Sequence, residues 1–123
     1  MSFSRVCALT QLTPGRAVAA LVHGAQVAVV RVAADEVYAV GHHDPFSGAN
    51  VMARGIVGST TVDGEPVPTI ASPMFKQAFD LRTGVCLSDR TVSLGSWPVR
   101  VVDGQVEIGP AHEVPRTTDE EAS

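Results

Sequence analysis

The segment Ser72-Pro-Met-Phe-Lys-Gln-Ala-Phe-Asp-Leu-Arg-Thr-Gly84 divides into a loop and the first strand and turn of a β-hairpin. Residues 82–84, Arg-Thr-Gly, form a turn signal between the apolar-rich residues 78–81 and 85–87. Glycine takes the left-handed conformation of a tight turn at little steric cost. The segment therefore predicts a strand, a turn and a second strand, preceded by a loop that its proline shapes.

The rest of the chain repeats this alternation of short apolar runs and turn signals. Further runs rich in Val, Ile and Ala occupy residues 16–22, 26–32, 36–40, 55–62, 67–71, 99–102 and 105–108. Two of the turns are Asp63-Gly64 and Asp103-Gly104, and Asp-Gly favours the type I′ hairpin turn because both of its residues take positive φ. No window keeps a helical period, so we expect at most a short helical turn between residues 42 and 55. The pattern predicts an all-β fold, an antiparallel sandwich or small barrel.

Composition narrows the classes of function. The chain has 123 residues, a formal net charge of −4 and a pI of about 5.4, which argues against nucleic-acid binding and against attachment to anionic lipid. No apolar run approaches the roughly 20 residues of a membrane-spanning helix, and the first residues lack the pattern of a secretory signal. We therefore expect a cytoplasmic protein that has no membrane partner.

The length fits one domain followed by a tail. We expect residues 1–109 to form the β domain, because the hairpin pattern ends there. Residues 110–123 contain two prolines and the run Thr-Thr-Asp-Glu-Glu-Ala-Ser, and we expect them to form a flexible acidic tail.

Two longer loops, residues 42–55 and 72–77, interrupt the hairpin pattern, and loops on a rigid β scaffold often carry function. Adjacent residues of an extended chain point to opposite faces, so His42 and His43 do not chelate one ion, and we expect one packed and one solvated side chain. Cys7 and Cys86 are expected to be buried free thiols.

The two loops and the segments that follow them resemble the cluster-binding loops of a Rieske iron–sulfur domain. That family carries Cys-Pro-His, or a close relative, in its first loop, and Cys-Pro-x-His in its second, followed by Phe and a Thr-Gly or Asp-Gly turn. In this chain the matching stretches are Asp44-Pro45-Phe46 and Ser72-Pro73-Met74-Phe75, followed by Phe79 and Thr83-Gly84. The resemblance extends from residue 3 to residue 108. It implies a Rieske-like sandwich or barrel with a smaller, loop-rich subdomain around residues 42–87, and it places the two loops side by side.

The resemblance puts Asp44, Phe46, Ser72 and Phe75 at the four ligand positions. A Rieske cluster needs two thiolates on one iron and two imidazoles on the other. Carboxylate and hydroxyl oxygens are poor substitutes for thiolates in an iron–sulfur site, and phenylalanine has no donor atom. We therefore expect that this chain holds no metal and no cofactor.

The runs Asp-Pro-Phe-Ser-Gly-Ala and Ser-Pro-Met-Phe-Lys-Gln-Ala-Phe resemble one family in particular, the small subunits of assimilatory NAD(P)H-dependent nitrite reductases. The resemblance implies a non-catalytic subunit in nitrate assimilation, with no catalytic residues of its own. Its partner is the large subunit, which carries FAD, sirohaem and a [4Fe–4S] cluster and reduces nitrite to ammonium.

We expect the loop end to be the docking surface of this subunit. Its apolar anchors are Phe46, Met74 and Phe75, and Arg54 and Lys76 lie on its rim. Two alternatives remain open: a Rieske-type ferredoxin that carries electrons, and an unrelated β-sandwich module that binds another protein.

Overall fold

The computed structural model describes residues 3–74 and 76–111. In these residues the chain forms twelve strands and two short 3₁₀ helices, Leu9–Gln11 and Met52–Arg54. The strands are β1 Ser4–Ala8, β2 Arg16–Val22, β3 Ala25–Ala33, β4 Glu36–Gly41, β5 His43–Asp44, β6 Ala49–Asn50, β7 Ile56–Val62, β8 Glu65–Ala71, β9 Ala78–Asp80, β10 Ser96–Trp97, β11 Val99–Val102 and β12 Gln105–Ile108. The all-β prediction is confirmed. No helix within the described ranges is long and apolar enough to cross a membrane.

The strands form four antiparallel sheets. The larger body contains a three-stranded sheet in the order β1-β12-β11 and a four-stranded sheet in the order β10-β4-β3-β2. The subdomain lies between β4 and β10 in the sequence and contains the pair β5-β6 and the sheet β7-β8-β9. This agrees with the smaller unit expected around residues 42–87.

The hairpin turns have the predicted backbone geometry. Asp63 and Gly64 have φ of 51° and 80°, and Asp103 and Gly104 have φ of 51° and 73°, so both residues of each pair are left-handed. The same geometry joins β2 to β3 through residues 23–24. The β7–β8 and β11–β12 pairs extend over the whole of both strands, and all of β2 pairs with residues 25–31 of β3, which confirms the hairpins.

The turn after β9 is held by Asp80. Its carboxylate accepts hydrogen bonds from the backbone N–H of Arg82 at 2.8 Å and from the Arg82 guanidinium at 2.9 and 3.1 Å. The backbone N–H of Gly84 donates to the Asp80 carbonyl at 2.6 Å, and Gly84 has a φ of 82°. The segment quoted at the start therefore forms the predicted strand and turn.

Residues 85–87 do not form the continuous strand that we expected. They make isolated bridges only, Phe79 with Cys86 and Val85 with Ser93. The physical reason is that their hydrogen bonds are divided between two segments. The N–H of Leu87 donates to β9, whereas the N–H of Cys86 donates to the Val92 carbonyl at 2.9 Å.

Two apolar clusters form the core, and β3 contributes to both. Ala28 and Val30 enter the cluster that packs the four-stranded sheet against the subdomain, together with Met52, Phe79 and other residues. Val27 and Val29 enter the cluster shared with the three-stranded sheet. Because side chains alternate along a strand, a strand buried on both faces is apolar at every position, as residues 27–30 are.

The 3₁₀ helix Met52–Arg54 lies against β8 because Gly55 has no side chain. A Cβ atom at Gly55 would lie 2.3 Å from the carbonyl oxygen of Ala71. The close approach brings the end of the first long loop to the start of the second. Residues 112–123 of the expected tail lie outside the described residues, so the boundary at residue 109 stays a prediction.

Candidate functional site

The two long loops meet through one buried hydrogen bond. The Ser72 hydroxyl donates to Oδ2 of Asp44 at 2.5 Å, across 28 positions of sequence, and both residues are fully buried. The prediction that the loops lie side by side is therefore confirmed. The bond joins the two positions that the Rieske resemblance matches to thiolate ligands.

Asp44 also organises its own loop. Its Oδ1 accepts the backbone N–H of Phe46 at 3.0 Å, and its Oδ2 accepts the Ser47 hydroxyl at 2.9 Å. The Asp44 carbonyl accepts the N–H of Gly48 at 2.8 Å. A carboxylate that accepts from the N–H two positions further on is the usual way in which aspartate fixes a turn. The loop therefore depends on Asp44 for its shape.

Ser72 plays the corresponding part in the second loop. Its hydroxyl oxygen accepts the N–H of Met74 at 3.1 Å, and its carbonyl accepts the N–H of Lys76 at 2.9 Å. Its own N–H donates to the Gln77 carbonyl at 3.0 Å, which closes the loop at its base. Lys76 has a φ of 64°, in the left-handed region that non-glycine residues rarely adopt.

Hydrogen bonds keep the buried Asp44 carboxyl ionised. Burial alone would raise its pKa, but the hydrogen bonds from Ser72, from the N–H of Phe46 and from Ser47 outweigh burial, so the pKa is lowered. Asp44 is therefore a carboxylate at neutral pH. The contact with Ser72 is a charge-assisted hydrogen bond, stronger than one between neutral groups.

The loop end also exposes the apolar and cationic residues that the sequence singled out. Phe46 is 37% exposed and Met74 is 55% exposed, and the Phe46 ring rests on Phe79 with 6.2 Å between ring centroids. Arg54 and Lys76 are exposed on the same two loops. Phe75, the remaining anchor, lies outside the described residues. The docking role of all five stays a prediction.

The two adjacent histidines behave as expected. His42 is buried, and its Nδ1 accepts the N–H of Ala53 at 3.1 Å. His43 is exposed, and its Nδ1 lies 2.9 Å from Oδ1 of Asn50. Burial, and next the positive charge of Arg54, lower the pKa of His42, which keeps its ring neutral at neutral pH.

Comparison with known proteins identifies the family. The family described as "Rieske-like [2Fe-2S] domain" matches residues 2–109. The nitrite reductase (NADH) small subunit of Salmonella typhimurium is 36% identical over 107 residues, which cover 86% of this chain and 95% of that protein. The chain belongs to the family of nitrite reductase small subunits.

A solved structure and a larger relative extend this result. The solution structure of the nitrite reductase NAD(P)H small subunit from Erwinia carotovora is 38% identical, has a TM-score of 0.74, and covers 96% of this chain and 89% of that one. The nitrite reductase NAD(P)H large subunit of Klebsiella oxytoca is 34% identical over 104 residues, 85% of this chain but only 10% of that protein. A domain of this family is therefore part of one large-subunit chain.

The residues at the cluster positions do not fit a [2Fe–2S] group. The side chains of Asp44 and Ser72 are hydrogen-bonded directly to each other, which leaves no space for a cluster between them. The Phe46 ring carries no donor atom. Cys86 is buried in one apolar cluster as expected, whereas Cys7, also expected to be buried, is only half-buried and packs against the edge of the other cluster, and neither lies in the loops. Within residues 3–74 and 76–111, no three His, Cys, Asp or Glu side chains are grouped so that they could bind a metal ion.

Replacing Ser72 by Ala should destabilise the domain. The change removes the buried donor to the Asp44 carboxylate and the acceptor for the N–H of Met74, at an expected cost of about 1–3 kcal/mol in unfolding free energy at pH 7. Denaturant titration measures this. The matched control is Ser47→Ala, which removes another hydroxyl that donates to the same Asp44 oxygen. The Ser47 hydrogen bond is only part-buried, so a water molecule can replace the lost hydroxyl.

The loss of unfolding free energy caused by Ser72→Ala should also depend on pH. Because the pKa of Asp44 is lowered on folding, its stabilisation is present above the unfolded pKa of about 3.9 and is lost as pH falls through the folded value. The difference between wild type and Ser72→Ala should therefore narrow below about pH 4. Equal, small effects of Ser72→Ala and Ser47→Ala at pH 7 would contradict the role given to this bond.

Proposed function

We propose that this chain is the non-catalytic small subunit of an NAD(P)H-dependent nitrite reductase, the enzyme that reduces nitrite to ammonium in nitrate assimilation. It docks to the large subunit and supports it without accepting electrons. The observation that carries this proposal is the match to nitrite reductase small subunits over 95% of the relative's length. The large subunit supplies FAD, sirohaem and the [4Fe–4S] cluster, and this chain adds no cofactor.

The Klebsiella relative supports a direct physical association. There a segment similar to this chain occupies 10% of a large-subunit polypeptide, so covalent linkage holds the domain next to the rest of the enzyme. A separate chain of the same family has to reach an equivalent place through a non-covalent interface. We therefore propose the large subunit as the partner of this chain, and the cytoplasm, where NAD(P)H is available, as their location.

We further propose that docking uses the loop end. Partly exposed apolar side chains bordered by charge are typical of the centre of a protein interface. Phe46 and Met74 supply the apolar surface there, Phe75 is assigned to it from its position in the sequence, and Arg54 and Lys76 supply the charged border. The Asp44–Ser72 bond holds the two loops in a fixed relation before the partner binds, which lowers the entropy cost of docking.

The two alternatives are less well supported. A Rieske-type ferredoxin needs four cluster ligands, and Asp44, Phe46 and Ser72 do not supply them. An unrelated binding module would not account for 36% identity to a nitrite reductase small subunit over nearly its whole length.

Co-expression with the large subunit encoded by the same organism tests the proposal. The tagged chain should retain that subunit through purification, and the pair should reduce nitrite with NADH or NADPH faster, or for longer, than the large subunit alone. The control is a Rieske-type ferredoxin carrying the same tag. Failure of the two chains to co-purify, together with unchanged activity and stability of the large subunit, would contradict the proposal.

The isolated chain should contain no stoichiometric iron or sulfide and should show no visible absorption. The reason is that the positions matched to cluster ligands hold a carboxylate–hydroxyl pair and phenylalanine side chains. Iron and sulfide analysis after anaerobic purification measures this, with a Rieske-type ferredoxin purified in parallel as the positive control. Two irons and two sulfides per chain would instead support the ferredoxin alternative.

A further inference from the structure

The two most exposed large apolar side chains in the described part of the chain are absent from the docking residues that the sequence suggested. Leu21, near the end of β2, is 73% exposed, and Ile56, the first residue of β7, is 63% exposed. Solvent exposure of a single apolar residue needs no explanation, but a group of them on one surface does. The position of these two residues relative to the loops is therefore informative.

Short contacts lead from Leu21 to the first loop. Leu21 pairs with Gln26 across the β2–β3 hairpin, and the Gln26 carbonyl accepts the N–H of His42 at 3.2 Å. The His42 carbonyl in turn accepts the N–H of Met52 at 3.1 Å, at the start of the 3₁₀ helix that contains Arg54. Arg54 is close enough to lower the pKa of His42 by its charge.

Leu21 also lies on the face of the four-stranded sheet that packs against the subdomain. Side chains two positions apart on a strand share a face, so Leu21 is on the same side as Ala17. Ala17 packs against the core cluster that contains Met52, between the four-stranded sheet and the subdomain. Leu21 therefore extends that packed face outward beside the 3₁₀ helix.

A second set of contacts connects Ile56 to the other loop. Ile56 follows the 3₁₀ helix directly after Gly55 and pairs with Ala71, the residue before Ser72. Ser72 is bonded to Asp44, and its hydroxyl oxygen accepts the N–H of Met74. Ile56 thus lies between the helix that carries Arg54 and the loop that carries Met74.

Of the six large apolar side chains that are exposed among residues 3–74 and 76–111, four therefore lie at one end of the molecule. We call this end the extended loop-end surface, and its apolar members are Leu21, Phe46, Ile56 and Met74. Arg54 and Lys76 are interspersed among them, and neither is in an ion pair within the described residues. The chain as a whole carries a net charge of −4, so these two exposed cations, which outnumber the one buried carboxylate of Asp44 beneath them, contrast with an acidic protein.

Val102, another exposed apolar residue, lies at the opposite end of the molecule. Arg16, at the other end of β2 from Leu21, pairs with Arg31, whose guanidinium donates to the Leu9 carbonyl at 3.4 Å. The N–H of Leu9 donates to the carbonyl of Gly104, in the β11–β12 turn. Val102, 42% exposed just before that turn, therefore lies away from the loop end.

We propose that the extended loop-end surface, including Leu21 and Ile56, binds an apolar surface with an acidic border on the large subunit. This proposal rests on the proposed function and adds the β2 corner to the docking site. A stable interface buries about 800 Å² on each partner, from roughly 20–30 residues. In the described part of the two loops the exposed large apolar side chains are Phe46 and Met74, and Leu21 and Ile56 supply the additional anchors. Arg54 and Lys76 provide the charge complementarity that selects an acidic partner.

Affinity measurements with the intact chain and the purified large subunit test the proposal. Leu21→Ser and Ile56→Ser should each weaken binding by about tenfold or more, whereas Val102→Ser should change it by less than about twofold. Melting temperatures of the three variants show whether each is folded. Folded Leu21→Ser and Ile56→Ser variants that bind with wild-type affinity would overturn the inference.

A charge pair at one position tests the acidic border separately. Leu21→Lys and Leu21→Glu introduce long side chains of opposite charge at a site that is 73% exposed. Leu21→Lys should bind more tightly than Leu21→Glu, and the difference should shrink at high salt because salt screens exposed charges. Tighter binding of Leu21→Glu would overturn the acidic-border assignment. If the wild-type chain does not bind the large subunit at all, the proposed function itself fails. If the wild-type chain binds but the variants bind equally well, only the position of the docking surface is wrong.

Discussion

The hydrogen bond between Asp44 and Ser72 is the constraint on which the loop end depends. It lies between two loops that are separated by the whole β7–β8 hairpin, and both of its partners are fully buried. Each partner also fixes the backbone of its own loop, Asp44 through the N–H of Phe46 and Ser72 through the N–H of Met74. This one hydrogen bond therefore determines the positions of the exposed side chains of Phe46 and Met74.

This arrangement explains how a Rieske-like scaffold is stable in a chain that lacks the cluster ligands. In a cluster-binding relative the metal would join the two loops. Here a charge-assisted hydrogen bond joins them, and the Phe46 ring packs on Phe79 beside it. The result is a loop end whose described residues expose apolar and cationic side chains.

Much of the fold was predictable because the signals are local. Asp-Gly turns predicted the hairpins at residues 63–64 and 103–104, and the apolar run at residues 26–32 predicted the strand β3. β1 and β10 were not predicted, because no turn signal pairs them with the distant strands that they contact. Residues 85–87 were predicted as a strand, but their hydrogen bonds are divided between two segments, which no local pattern reveals.

The site was predictable to a similar degree. The family motif brought the loops together and identified Asp44 and Ser72, but not the bond between them. The sequence gives no sign that Leu21 is exposed, because its run of Ala, Val and Leu is also what a buried strand contains. Whether an edge-strand side chain is covered depends on what packs beside it, and that is a property of the tertiary structure.

Hydrogen exchange of the chain, free and bound to the large subunit, shows directly whether the loop end is the docking surface. Amides in exposed loops exchange through small local openings, so a partner that covers them slows their exchange. We expect slower exchange on binding in residues 42–56, 72–77 and the β2–β3 turn at residues 22–25, with no change at residues 102–105. Slower exchange confined to residues 102–105 and the neighbouring Leu9–Gln11 segment, with the loop end unaffected, would contradict it.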